Sequence, residues 1–421
     1  MAQICVLGLG YVGLPTAALL ANSGYHVLGV DINRDVVESL KSGKTRLSEA
    51  GLDTLVFAAF QSGNLKSATE PEESDTFIIC VPTPVNPDKT VDLRAVRSAA
   101  EAIAKYVKKG NLVILESTSP VGTTERDVGS IIKDRTGLAY GADYDLCYCP
   151  ERVLPGNTVG ELVHNDRIIG GIVPASAQRA KDIYDRFSKG KKILTTCKTA
   201  EMCKLMENTF RDVNIALANT FANIAEVAGV NVWDAIEYAN LHPRVNILSP
   251  GPGVGGHCIP VDPWYFVEGF PNESGLLKTA RQINDGQSKR IVDLLIGKGI
   301  RPGGKLAILG ASYKQNIDDI RESPALLIAE YAKRAQLDVI AHDPHVTPGM
   351  HEGLLVSADL ADVLNGADAL ILITHHDAYR SLSASEIKSR MKGKLVYDTR
   401  NWLNHKELTE LGLTVLVLGK R

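Results

Sequence analysis

At 421 residues, with 44% hydrophobic and 23% charged side chains, the chain exceeds one ordinary core and predicts a soluble globular protein of two or three domains. A net charge of −3 with no long Lys/Arg run excludes nucleic acid as an expected partner, and no stretch approaches the roughly 20 apolar residues of a membrane span, so a cytosolic protein without a membrane partner is expected. The cysteines at 5, 80, 147, 149, 197, 203 and 258 are odd in number and show no repeated Cys-x-x-Cys pairs, which points to reduced thiols, no disulfide framework and no metal site.

The first predicted strand, 3–7, runs into Gly8-Leu9-Gly10-Tyr11-Val12-Gly13 and then an Ala/Leu-rich helix over 14–21. Strand, Gly-x-Gly-x-x-Gly turn and helix, in that order, let a pyrophosphate lie against a helix N-terminus and its partial positive charge. The next strand, 26–30, ends at Asp31, roughly 20 residues beyond the glycines, where a carboxylate accepts from the adenosine ribose hydroxyls. Arg34 could greet a 2′-phosphate, but Asp31 would repel it, so NAD is the expected cofactor.

Further strands are predicted at 76–81, 112–116 and 145–149, each followed by turn residues, as a doubly wound parallel sheet demands. The crevice of such a sheet lies at the carboxyl ends of its strands, which singles out Pro82 and Thr83, then Thr118, then Glu151 and Arg152. Ser119 is expected to cap a helix opened by Pro120, and for Thr118 capping and ligand contact explain the residue equally well. Cys147 and Cys149 alternate along a strand as packing residues.

From 199 to 228 there is no proline or internal glycine, and Met202, Leu205, Met206, Val213, Ala216, Leu217, Phe221 and Ile224 recur at helical spacing. At about 1.5 Å per residue this helix spans roughly 45 Å, enough to join domains. Lys204, Asn208 and Arg211 share one face, which is either the solvated side of the helix or, because apolar groups populate the other faces, a stripe that a helix buried nearly all round carries into an interior cleft. Residues 250–263 then read Pro-Gly-Pro-Gly-Val-Gly-Gly-His-Cys-Ile-Pro-Val-Asp-Pro, placing the thiol of Cys258 in a glycine-rich bend and the carboxylate of Asp262 four positions on. Glycine permits positive φ and close approach to a ligand while proline stiffens the bend, which is how a nucleophile is presented, although a plain turn with a buried cysteine fits the segment equally well.

A second alternation of strands is predicted at 305–310, 338–343, 369–374, 395–399 and 415–418. Its first turn, Gly310-Ala-Ser-Tyr313-Lys314, lacks the three-glycine fingerprint, so it should bind something other than a dinucleotide, with Lys314 able to meet a phosphate.

Several motifs are similar to those of the UDP-glucose/GDP-mannose dehydrogenase family. They are Val-Leu-Gly-Leu-Gly-Tyr-Val-Gly-Leu-Pro, Cys-Val-Pro-Thr-Pro, Glu-Ser-Thr-Ser-Pro-Val-Gly-Thr-Thr, Cys-Pro-Glu-Arg, Lys-Leu-Met-Glu-Asn-Thr-Phe-Arg, Gly-Gly-His-Cys-Ile-Pro-Val-Asp-Pro and Ile-Asp-Asp-Ile-Arg-Glu-Ser-Pro-Ala. The resemblance covers nearly the whole chain and implies an α/β fold: two Rossmann-like doubly wound domains joined by a long central helix and a small helical dimerisation domain. The expected boundaries are 1–197 for NAD, 198–300 for the central part with the catalytic loop, and 301–421 for UDP. It implies NAD-dependent, four-electron oxidation of the C6 alcohol of a UDP-sugar, most like the branch acting on UDP-N-acetyl-D-mannosamine. Pro260 stands where that branch commonly has alanine and UDP-N-acetylglucosamine enzymes have proline, so that sugar, or UDP-glucose, is the alternative. A two-electron hydroxyacid dehydrogenase would need neither Cys258 nor the second sheet.

On this resemblance Cys258 forms a thiohemiacetal and then a thioester, and Lys204 activates the thiol and steadies the C6 alkoxide. Asn208 orients the same oxygen, and Asp262 is the general base, with Thr118 or Glu151 positioning water. Tyr313, Lys314 and Arg400 are implied for UDP. Glu151 and Arg244 are implied for the sugar side, with Arg244 from a neighbouring subunit of a homodimer, and Arg152, Arg211 and Gly255 for the substrate. Arg321, with Tyr11, Val12 and Pro82, is assigned to the cofactor.

Overall fold

The computed structural model describes residues 3–45, 47, 49–153 and 156–420; Leu154 and Pro155, in the stretch after Glu151 and Arg152, lie outside them. The chain forms two compact units, Met1–Glu207 with Trp264–Gly269 and Asn208–Pro263 with Phe270–Arg421.

The first unit is built on an eight-stranded sheet of β1 (Gln3–Leu7), β2 (His26–Val30), β3 (Leu65–Ala68), β4 (Thr76–Ile79), β5 (Leu112–Leu115), β6 (Asp145–Tyr148), β7 (Arg167–Gly171) and β8 (Lys192–Thr196). The strand order is β3-β2-β1-β4-β5-β6-β7-β8, with only β6 and β7 antiparallel. Its first six strands follow the dinucleotide-fold order. Thr-Phe-Ile-Ile in β4 and Leu-Val-Ile-Leu in β5 are buried throughout, as strands covered by helices on both faces must be. β4 ends earlier than its apolar run because, after Cys80 N–H reaches Leu7 O at 2.7 Å, Pro82 has no donor with which to continue the ladder. Cys147 and Cys149 are fully buried, as packing residues should be.

The helix expected at Pro120 starts later than its sequence suggests. Gly122 adopts a φ of +93°, outside the helical region, and a π-helical segment, Thr124–Gly129, follows it before the α-helix Ser130–Thr136. The Ser119 hydroxyl donates to Ser117 O at 2.9 Å instead of capping. Glu201, from the long helix Cys197–Ala228, supplies the cap: its carboxylate accepts from Gly122 N at 2.5 Å, Thr124 N at 2.8 Å and the Thr124 hydroxyl at 2.6 Å.

The second unit carries β9 (Lys305–Leu309), β10 (Asp338–His342), β11 (Gly349–His351), β12 (Leu354–Ser357), β13 (Ala369–Leu372), β14 (Leu395–Asp398) and β15 (Thr414–Val417). Their order is β11-β12-β10-β9-β13-β14-β15, parallel except for the β11–β12 pair. Ala222 and Ala225 of the long helix pack with Val232, Ile291 and Leu295 into this unit's core. The expectation that the helix is buried nearly all round is not met within the single chain. Met206, Phe210, Ile224 and Val227 are 54%, 66%, 57% and 79% exposed, so one face is apolar and bare.

Candidate active site

The cofactor edge of the first unit shows three glycines with separate physical reasons. A Cβ on Gly8, whose φ is +89°, would lie 2.6 Å from Cys80 O, and one on Gly13 would lie 1.8 Å from Gly8 O. Both are demanded by packing. A Cβ on Gly10 would meet no atom within 4 Å, so that glycine faces open space at the N-terminus of helix Gly13–Asn22, where a pyrophosphate fits. Asp31 is half-buried, its Oδ2 accepting from Leu9 N and its Oδ1 from Asn33 N, both at 2.9 Å. The carboxylate is thereby held beside the turn in the position that a ribose requires. Tyr11 and Val12 are half-buried, while Arg34 and Pro82 are exposed.

The crevice loops are tied together by their own polar groups. Thr83 Oγ1 donates to Thr118 O at 2.6 Å, and Tyr265 OH donates to Thr83 O. Glu151 accepts from the backbone N–H of Val153, folding the carboxylate over its own loop. Arg152 pairs with Glu207 at 2.7 Å and donates to Asp166 O at 2.8 Å, which fixes the loop to the long helix. Beneath them lies a buried cluster that the sequence reading missed. The Glu116 carboxylate accepts from Tyr184 OH at 2.5 Å and Cys80 Sγ at 3.2 Å, and the Arg167 guanidinium stacks 4.6 Å from the Tyr184 ring centroid. Burial and the Glu116 charge push the Cys80 thiol well above its ordinary value, so it stays protonated.

The glycine-rich loop expected to carry the catalytic thiol belongs to the second unit. Asp262 opens helix Asp262–Gly269 and is 2% exposed; Asn208 Nδ2 donates to its Oδ2 at 2.5 Å. Val261 N and Asp262 N both return to Cys258 O, at 3.1 and 2.9 Å, so thiol and carboxylate sit on one closed turn. His257 Nδ1 lies 3.2 Å from Cys258 Sγ, and its Nε2 lies 3.7 Å from Asp319 Oδ2. This histidine was visible beside the cysteine in the sequence but was assigned no role there. Lys204, one turn before Asn208 along the long helix, is 5% exposed. Arg211, expected on that stripe, is exposed; the polar row continues through Asp212 and Asn219, both fully buried.

Those two residues hold the glycine-rich loop. Asn219 Oδ1 accepts from Gly251 N at 2.8 Å, and its amide donates to Asn284, whose own amide reaches Asp212 at 2.8 Å; Arg281 also donates to Asp212, at 2.5 Å. Burial raises the Asp212 carboxyl against the opposing Arg281 charge. The loop also rests on the residues expected to contact UDP. A Cβ on Gly255 or Gly256 would come within 2.7 or 2.9 Å of Tyr313, and one on Gly251 within 2.4 Å of the Arg400 guanidinium. Burial pulls Arg400 down to about 10, with Asp398 opposing, so it remains a cation near neutrality. Lys314 is exposed, as is Arg244, while Arg321 is paired with Asp319 at 2.6 Å.

A glycine turn open at a helix N-terminus beside a half-buried carboxylate, on a sheet in the dinucleotide-fold order, and a second Rossmann-like sheet later in the chain are the fold of an NAD-dependent oxidoreductase. The chain belongs to the UDP-glucose/GDP-mannose dehydrogenase family, matching its NAD binding domain over residues 2–188, its central domain over 198–286 and its UDP binding domain over 307–405. It is 47% identical to a UDP-N-acetyl-D-mannosamine dehydrogenase of Methanocaldococcus jannaschii, over 99% of this chain and 96% of the relative. It is 46% identical to an NDP-N-acetyl-D-galactosaminuronic acid dehydrogenase of Ralstonia solanacearum, over 96% and 97%. The solved UDP-D-ManNAc dehydrogenase of Pyrococcus horikoshii superposes with a TM-score of 0.92 at 40% identity, covering 99% of both chains.

Proposed function

We propose that this chain oxidises the C6 alcohol of UDP-N-acetyl-D-mannosamine to the carboxylate in two successive oxidations, with Cys258 holding the half-oxidised sugar. The observation that carries this reading is a thiol presented on a glycine-rich loop, 3.2 Å from an imidazole nitrogen, in a chain 47% identical to an enzyme named for that sugar. When bound, NAD accepts a hydride at each oxidation. Tyr313, Lys314 and Arg400 hold the UDP moiety, Glu151 and Arg244 meet the sugar side, and Arg152, Arg211 and Gly255 complete the substrate contacts. The Lys204 ammonium steadies the oxygen at C6 as it becomes an alkoxide, and Asn208 orients that oxygen. A free thiol titrates near about 8.5, so Cys258 needs a polar partner to react at neutral pH. Lys204 supplies positive charge, and the neighbouring His257 supplies a nitrogen for the thiol proton. The thiolate adds to the C6 aldehyde; once that adduct is oxidised, water attacks the thioester, with Asp262 taking the proton and Thr118 or Glu151 placing the water.

The bare apolar face of the long helix is proposed as the contact between two copies of the chain, which would bring Arg244 of one to the sugar in the other. The cytosol is the proposed location, because a nucleophilic thiol must stay reduced to react.

Purified protein should yield two NADH per UDP-sugar consumed. One NADH with aldehyde released would reject the reading. Cys258→Ser should stop carboxylate formation, and light scattering should give twice the chain mass. The Ralstonia relative and Pro260 favour a second reading in which another UDP-N-acetylhexosamine epimer is the preferred substrate. Initial rates on the epimeric sugars and UDP-glucose decide between them.

A further inference from the structure

The loop joining β9 to the following helix carries Tyr313 and Lys314, and a buried imidazole grips it on both sides of them. His376 is fully buried, as is Ser312, and Asp343 is 2% exposed. Asn316 N–H donates to His376 Nδ1 at 2.9 Å. A backbone N–H can only donate, so Nδ1 is the acceptor and the ring proton sits on Nε2. From there it faces Asp343 Oδ2 at 3.0 Å and Ser312 Oγ at 3.1 Å. The same Asp343 oxygen accepts from Ala311 N at 2.8 Å and Ser312 N at 2.9 Å. Ser312 Oγ in turn donates to Lys314 O at 3.0 Å, and Thr374 Oγ1 donates to Ser312 O at 2.5 Å. One neutral histidine thus links the start of the loop to its end, where Asn316 is held at a left-handed φ of 59° and bonded to Asp377 at 2.6 Å.

We propose that His376, in its Nε2-protonated neutral form, is a positioning residue for the nucleotide, fixing the loop segment that presents Tyr313 and Lys314 to UDP without touching the ligand itself. The inference rests on the reading of Tyr313 and Lys314 as UDP contacts. A purely space-filling histidine would need neither the oriented proton nor the acceptor at Nδ1. The arrangement uses both ring nitrogens, each for a group on the loop or for the carboxylate that holds it.

The test compares full-length wild type with His376→Phe, His376→Gln and His376→Asn, measuring UDP binding by calorimetry together with KM for the UDP-sugar, KM for NAD and kcat. Phenylalanine fills the volume but offers no nitrogen. It should raise the UDP Kd and the UDP-sugar KM about tenfold, as expected for losing hydrogen bonds at both ends of the loop, with the KM for NAD and kcat within about twofold. His376→Asn keeps an acceptor near the Nδ1 position and should recover most of the affinity, whereas His376→Gln, reaching toward Asp343 instead, should recover less. If the phenylalanine variant fails to bind NAD and so fails to fold, the two amide variants decide. Equal UDP affinity in every folded variant, or a KM for NAD that rises in step with that for the UDP-sugar, would overturn the inference alone. Failure of the wild type to bind UDP would bring down the reading of the loop beneath it as well.

Discussion

The two Rossmann-like sheets begin with the same backbone arrangement and use its acidic residue in opposite ways. In the first, Gly8 N donates to Val30 O and Asp31 follows β2; in the second, Gly310 N donates to His342 O and Asp343 follows β10. Asp31 accepts two backbone N–H groups and remains half-buried at the turn. Asp343 accepts four, from Ala311, Ser312, His345 and Val346, and adds His376, and is itself 2% exposed. Burial alone would raise the Asp343 carboxyl, but His376 and the N–H groups of Ser312 and His345 hold it well below the ordinary carboxylate range. A carboxylate so occupied has no capacity left for a ribose. Strand order and the acidic position do not by themselves make a dinucleotide site; accessibility of that carboxylate does.

Substitutions in the two turns should separate the structural carboxylate from the accessible one. The largest effect is expected for Asp343→Ala, which strands buried donors and should cost roughly 3–5 kcal/mol of unfolding free energy, read from urea midpoints. Because the folded carboxyl titrates below its unfolded value of about 3.9, this contribution is fully present above that pH and fades as pH falls below it, so the gap from wild type should narrow in acid. Next, Gly13→Ala pushes a Cβ into Gly8 O and should cost roughly 1–3 kcal/mol while abolishing NAD binding. Asp31→Ala should cost only about 1 kcal/mol yet raise the KM for NAD about tenfold; a stability loss equal to that of Asp343→Ala would erase the contrast. Smallest in stability is Gly10→Ala, expected within about 0.5 kcal/mol because its Cβ meets nothing, with the KM for NAD still clearly raised.

What could be read from the chain beforehand follows the same physics. Gly8 and Gly13 were legible because close backbone approach restricts residue type at fixed spacing, and Asp31 because its carboxylate accepts from the turn itself. Cys258 and Asp262 stood out because a thiol inside a run of glycine and proline is a rare local pattern, and the structure sets them on one turn. Glu116, Arg167 and Tyr184 were not, since each is an ordinary residue until folding brings partners 68 positions apart into contact. The long helix shows how narrow the margin is. Arg211 and Asp212 are neighbours in sequence about 100° apart around the axis, and only packing against Arg281 and Asn284 reveals that the aspartate continues the row from Asn208. The Ser119 cap failed for a related reason: a serine before a proline signals a helix start, but the Gly122 conformation delays it and a distant glutamate takes over. β11 went unnoticed because three residues at an antiparallel edge carry almost no periodic signal.

Glu201 gives the helix cap a wider meaning. It sits one turn ahead of Lys204 and receives three donors from the strip that leads out of Thr118. Replacing it would let that strip and the lysine's helix drift apart. Saturation mutagenesis scored only on turnover would therefore rank this position with the reacting groups, although its carboxylate is spoken for by its own polypeptide; scoring thermal tolerance alongside would tell scaffold from chemistry.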